Sequence, residues 1–103
     1  MGDFVRIGSK ADLPAEGEAK EFAVNGTTVC VANVDGDYAA MDNMCVHRGG
    51  PLGQGVVMDG KVICPWHGWG FDPKSGASDQ DDSLGVKVYA MKVEGEDVLI
   101  ELP

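Results

Sequence analysis

Cys45-Val46-His47-Arg48-Gly49-Gly50-Pro51-Leu52 and Cys64-Pro65-Trp66-His67-Gly68-Trp69 are the two stretches whose reading decides the fold. Each opens with a cysteine, follows it with a histidine two or three residues later, and runs on into glycine. Thiolate and imidazole are the soft and borderline ligands that hold iron, zinc or copper, so the two stretches read first as halves of a metal site. Structural zinc is the main competing metal. It favours two cysteines paired at C-x₂₋₄-C and two histidines paired at H-x₃₋₅-H. Here each pair is mixed, and a single residue separates Cys45 from His47. That spacing is awkward for two ligands on one tetrahedral ion and natural when the two side chains reach different metal atoms of one cluster. The chain has two histidines and three cysteines, and both histidines fall in these stretches. Cys30, in the apolar run Thr27-Thr28-Val29-Cys30-Val31-Ala32, is expected to pack in the core as a small hydrophobe.

The two stretches resemble the cluster-binding loops of the Rieske iron–sulfur family, and the resemblance is densest over residues 41–76. In a Rieske [2Fe-2S] centre two histidines replace two cysteines on one of the two irons. Carried over position by position, the resemblance implies that Cys45 and Cys64 bind one iron and His47 and His67 the other. It implies one such cluster per chain, and residues Gly53 through Lys61 as the hairpin between the loops. Departures matter as well. Family members of the cytochrome bc type carry a second cysteine in each loop and join the loops by a disulfide. The corresponding second-loop position here is Trp66, and no cysteine follows Cys45 in the first loop. Those proteins also place a serine and a tyrosine where this chain has Trp69 and Phe71. Hydrogen bonds to the sulfurs stabilise the extra charge of the reduced state, so losing two donors should lower the potential. The expected midpoint lies near the low end of the Rieske span, roughly −150 mV against an upper limit of about +300 mV.

The sequence beyond the loops reads as β structure cut by turns. Asn25-Gly26 between Glu21–Val24 and Thr28–Ala32 is the strongest two-residue hairpin signal, and Asp59-Gly60 repeats it between Val56–Met58 and Val62–Cys64. Asp35-Gly36 turns into Tyr38–Met41. Residues Val86–Val93 alternate as one strand, turn at Glu94–Asp97 and return as Val98–Leu102. Ser9–Leu13 hints at a single helical turn that Pro14 would end. Short strands at regular spacing predict an all-β fold, an antiparallel sandwich or partly open barrel, with a small inserted cluster-binding subdomain. A chain of 103 residues is expected to form one domain, residues 1–103, with that subdomain at about 43–76.

Charge and composition bound the function. A formal net charge of −9 disfavours nucleic acid and anionic membranes and suits docking on basic protein surfaces. Met1–Arg6 has no basic or apolar leader character, and no run approaches the roughly 20 apolar residues of a membrane helix, so a soluble cytoplasmic protein is expected. Ser78-Asp79-Gln80-Asp81-Asp82-Ser83-Leu84 carries three carboxylates where many relatives have a proline loop over the cluster. It reads either as a solvated acidic loop or as a negatively charged rim of the site. No catalytic constellation is visible, so the chain is read as a component and not as an enzyme. The resemblance implies a soluble Rieske ferredoxin that passes single electrons from a flavoprotein reductase to a terminal oxygenase of the aromatic-ring dioxygenase type. The alternative is a Rieske-like small subunit of a multi-component reductase, such as an assimilatory nitrite reductase.

Overall fold

A computed structural model describes residues 3–44, 51–66, 68–79 and 85–102. Ten strands run through them: β1 (Asp3–Ser9), β2 (Ala19–Val24), β3 (Thr27–Val34), β4 (Asp37–Asp42), β5 (Val56–Met58), β6 (Lys61–Ile63), β7 (Gly70–Phe71), β8 (Val88–Tyr89), β9 (Met91–Glu94) and β10 (Asp97–Leu102). Among the described residues the helical pieces are two single 3₁₀ turns, Lys10–Asp12 and Leu52–Gln54. The strands make three open antiparallel sheets, ordered β1-β10-β9, β2-β3-β4-β8 and β5-β6-β7. The expected all-β antiparallel architecture is what the chain adopts.

The central sheet is β2-β3-β4-β8, and β3 shows why. Five successive residues of β3, Val29 to Asn33, are buried. Side chains alternate across a strand, so a continuous buried run means that both faces are covered. Val29 and Val31 join Phe22, Val24, Ala40 and Ile100 in one apolar cluster against the β1-β10-β9 sheet. Cys30 and Ala32 point the other way, into a second cluster with Met41, Leu52, Val62, Cys64, Phe71 and Val86. The second cluster is where the central sheet meets the β5-β6-β7 sheet. Cys30 is fully buried and unpaired, as its apolar surroundings in the sequence led us to expect.

The hairpin signals fold as read. Asn25 and Gly26 have φ of 48° and 80°, and Asp59 and Gly60 have 53° and 75°, the two left-handed positions a tight hairpin turn requires. Asp35 and Gly36 do the same between β3 and β4. The helical turn before Pro14 is the 3₁₀ turn Lys10–Asp12. The Asp12 carboxylate accepts from both the amide and the hydroxyl of Ser9, each at 3.1 Å.

Two segments differ from the sequence reading. Residues 3–9 form β1, which the pattern did not reveal; it pairs with β10 across an irregularity between Arg6 and Gly8. The Val86–Val93 run is not one strand. Val88 and Tyr89 pair with Met41 and Ala40, whereas Met91–Glu94 pair with β10. The switch falls at Ala90, whose carbonyl accepts from the Glu101 amide at 2.9 Å and so draws the chain out of the central sheet. Side-chain alternation continues through Ala90, and alternation does not encode the partner strand.

Candidate metal centre

The β5-β6-β7 sheet lies in the chain between β4 and β8; the first motif stretch precedes it and the second connects β6 to β7. The first leaves the end of β4. Asn43 and Met44 form one side of its neck, and Pro51, Leu52 and Gly53 form the other. Met44 and Pro51 make an antiparallel bridge, and the Leu52 amide donates to the Asn43 carbonyl at 2.7 Å. The Asn43 side chain is buried and works in both directions. Its Oδ1 accepts from the Gly53 amide at 2.7 Å, and its Nδ2 donates to Glu21 Oε2 on β2 at 2.6 Å. Glu21 Oε1 accepts from Gln54 Nε2 at 3.2 Å. Gly53 has to be glycine here: a Cβ would run into Glu21 Cγ and stand 2.8 Å from Asn43 Oδ1.

The second stretch leaves the end of β6 at Cys64. The Cys64 amide donates to the Trp69 carbonyl at 2.8 Å, and the Gly68 amide donates to the Cys64 carbonyl at 3.0 Å. Gly68 at φ 75° supplies the left-handed step that turns the chain back toward β7. Asp79 closes this neck from outside. Its Oδ1 accepts from the Gly70 amide at 3.0 Å, and its own amide donates to the Gly70 carbonyl at 2.9 Å.

Of the four expected ligands, Cys64 falls among the described residues, while Cys45, His47 and His67 lie outside them. Cys64 is 2% exposed and carries a free thiol. It packs in the same cluster as Leu52, the last residue of the first motif, and half-buried Trp69 lies against that cluster. The fold therefore brings the closing end of the first loop and the cysteine of the second onto one apolar floor. A free thiol in a dry shell is the donor environment that an iron–sulfur cluster uses, and dryness is one of the factors that set its potential. What is described of the site fits such a group. Phe71, at the position where bc-type relatives carry tyrosine, is fully buried in the same floor and offers no hydroxyl. The two tryptophans part company, since Trp66 is 56% exposed. In the acidic segment Asp79 is bound to the second neck, whereas Asp81 and Asp82 lie outside the described residues.

Sequence reasoning missed Glu21, Asn43, Gln54 and the back-bonding of Asp79. A signal exists for Asn43, a residue prone to side-chain-to-backbone hydrogen bonds placed two before Cys45. None exists for Glu21, which only the strand register brings to Asn43.

An antiparallel base with two necks, the second turned at Gly68, and a dry cysteine sharing one apolar cluster with Leu52 is a setting suited to an iron–sulfur protein. The chain belongs to the Rieske [2Fe-2S] domain family, which matches it over residues 3–93, and its cofactor is the Rieske-type [2Fe-2S] cluster of that family. It is 33% identical over 87 residues to apoptosis-inducing factor 3 of Mus musculus, covering 82% of this chain but 14% of that protein's length. It is 31% identical over 100 residues to the biphenyl dioxygenase ferredoxin subunit of Pseudomonas sp. strain KKS102, covering 95% of this chain and 91% of that one. Among solved structures, the Sphingomonas yanoikuyae B1 ferredoxin superposes with a TM-score of 0.85 at 28% identity, over 98% of this chain and all of the other. A protein described as the small subunit of an NADH-dependent nitrite reductase from Mycobacterium tuberculosis shares the fold, with a TM-score of 0.87 at 20% identity, over the whole of this chain and 97% of that one.

Proposed function

We propose that this chain is a one-electron carrier of the Rieske ferredoxin type, accepting from a flavoprotein reductase and delivering to a terminal oxygenase of the aromatic-ring dioxygenase kind. The observation that carries the reading is the buried, unpaired Cys64 at a turned neck, in a chain that aligns nearly end to end with a dioxygenase ferredoxin subunit. The whole chain acts as one domain, with about residues 43–76 holding the cluster through Cys45, His47, Cys64 and His67. In support, the β5-β6-β7 sheet falls within that span and is a hydrogen-bonded sheet of its own.

When bound, the cluster supplies a one-electron couple; the protein sets its energy and its access. Cys64 keeps its thiolate sulfur out of water. Phe71 and half-buried Trp69 surround it with carbon and withhold the hydroxyl donors that raise potential. Exposed Trp66 and Met44 place apolar surface beside the two necks, where a partner would approach. A net charge of −9 steers that partner by a basic face, with encounter rates that fall as salt rises. No helix among the described residues is long and apolar enough to cross a membrane, and we place the carrier in the cytoplasm.

The reading of the chain as a nitrite reductase small subunit rests on fold alone and is not adopted. The test is an EPR-monitored redox titration of the purified protein at neutral pH. A Rieske-type signal with a midpoint near −150 mV, the low end of the family span, supports the carrier. A midpoint at the high end would overturn the choice of partners, and a fully loaded sample without the signal would overturn the cluster.

A further inference from the structure

The neck of the first loop is tied down by a carboxylate on β2. The Gly53 amide donates to Asn43 Oδ1, which fixes that side chain with its Nδ2 pointing at β2. Glu21 receives it on one oxygen and Gln54 Nε2 on the other. Both oxygens of Glu21 therefore face amide donors, an arrangement a carboxylate satisfies and a carboxamide cannot, since its NH₂ would meet one of them. The site is crowded as well as matched, because a Cβ on Gly53 would collide with Glu21 Cγ. Lys20, the neighbouring cation on β2, is engaged elsewhere, donating to the Asp12 carbonyl at 2.7 Å. The charge of Glu21 reaches into the floor under the site. Glu21 stands opposite Cys30 in the β2–β3 register, and Cys30 shares its cluster with Cys64. Burial pushes the Cys30 thiol up to about 12, and the Glu21 charge adds to that rise.

We propose that Glu21 is the positioning residue of the first ligand loop, holding its neck through Asn43 and Gln54, and that its charge makes the cluster harder to reduce. This rests on the Rieske carrier reading above. A negative charge held beneath a site that gains an electron disfavours the gain, and in a partly dry setting it is poorly screened. One side chain thus sets both the register of the loop and part of the low potential. The carrier is thereby kept a strong donor toward its acceptor.

The test compares variants by EPR-monitored redox titration, with iron and sulfide content measured in each. Glu21→Gln is expected to ease reduction about threefold, a positive midpoint shift of roughly 30 mV at 59 mV per tenfold for one electron. Glu21→Asp keeps the charge and shortens the reach. It is expected to hold the midpoint low while broadening the EPR spectrum as the loop loosens. Gln54→Lys, at an exposed position, replaces the amide donor on Glu21 Oε1 with an ammonium donor while the Asn43 contact stays; it pairs Glu21 with a cation and is expected to shift the midpoint upward as well. It carries the test should Glu21→Gln fail to fold. Asp35→Asn, at the far end of β4 from the neck, is expected to leave the midpoint in place.

Unchanged midpoints in both Glu21→Gln and Gln54→Lys would overturn the electrostatic role. An Asp35→Asn shift equal to theirs would do the same, by showing only a net-charge effect. An unaltered spectrum in Glu21→Asp would overturn the positioning role. Wild-type protein loaded with metal but lacking the Rieske signal would overturn the carrier reading itself, and the proposal with it.

Discussion

Asp79 and Gly70 hold each other at two points. The Asp79 carboxylate accepts from the Gly70 amide at 3.0 Å, and the Asp79 amide donates to the Gly70 carbonyl at 2.9 Å. Gly70 opens β7 directly after Trp69, so this double contact fixes where the second loop ends. A Cβ on Gly70 would come within 2.7 Å of Asp79 Oδ2, which is why the carboxylate can lie flat against that backbone. Asp79→Ala is expected to lower unfolding free energy by about 1–2 kcal/mol, the usual loss for a charge-assisted hydrogen bond to backbone. Asp79→Asn, which keeps an acceptor oxygen, should recover most of it. Urea denaturation of both variants reads the difference; equal midpoints for alanine and wild type would mean that the contact is not holding the neck.

Two glycines separate crowding from backbone strain. Gly60 and Gly76 both sit at left-handed φ, 75° and 81°. A Cβ on Gly60 meets nothing within 4 Å, while one on Gly76 would overlap the Val86 carbonyl. Gly60→Ala is expected to cost about 1–2 kcal/mol, the strain alone. Gly76→Ala should cost more than about 3 kcal/mol, because the Gly76–Val86 hydrogen bond at 2.9 Å must break too. Thermal melts of the pair decide it, and similar Tm values would show that the chain relaxes around residue 76.

The three cysteines should respond differently to substitution. Cys64→Ser and Cys45→Ser are expected to abolish cluster assembly, with little iron or sulfide remaining after purification, since metal binding and local folding are coupled. Cys30→Ala should retain the full complement and lose about 1–2 kcal/mol through the small cavity left in a fully buried position. Iron and acid-labile sulfide assays, with circular dichroism for the fold, separate the two behaviours.

Alkaline pH should unfold this protein through its interior. Burial raises the Cys30 thiol from 9.0 to about 12, with Glu21 adding to the effect, and burial first and Asp42 second raise Tyr89. A group whose folded value lies above its unfolded value stabilises the native state at lower pH and loses that contribution as pH rises. The loss begins near pH 9, where unfolded Cys30 ionises, and is complete near 12, amounting to about 4 kcal/mol at 1.36 kcal/mol per unit. Urea midpoints flat from pH 7 to 8.5 and falling steeply by pH 10.5 are expected in wild type, with a shallower fall in Cys30→Ala. Identical slopes in the two proteins would count against Cys30.

Much of the base was legible because its signals are local. Asn25-Gly26, Asp35-Gly36 and Asp59-Gly60 each place a residue tolerant of positive φ before a glycine, and each became a turn with that geometry. The Cys30 run was legible for the same reason, since five buried residues in a row require cover on two sides. Pairings across long separations were not. Val5 and Ile7 alternate inward, but β1 shows itself as a strand only against β10 at the other end of the chain, and its register slips between Arg6 and Gly8. Ala90 looks like any other position in an alternating run and is where the chain changes sheets. At the site, ligand types and spacing announced the chemistry. The network that steadies the first neck joins residues 22 apart through a sheet register, and no local pattern contains it.

The end of β4 and the start of β8 share a rung: Met41 faces Val88, and the Asp42 amide donates to the Lys87 carbonyl at 2.8 Å. The described residues between, including both necks, lie outside the four strands of the central sheet, and the chain returns to it at a neighbouring position. Such an excursion is a cassette. The length of its contents is not set by the Met41–Val88 rung, but Glu18 bridges Val56 and Glu21 binds Asn43 and Gln54, so the insert and the edge of β2 that meets it have to change together.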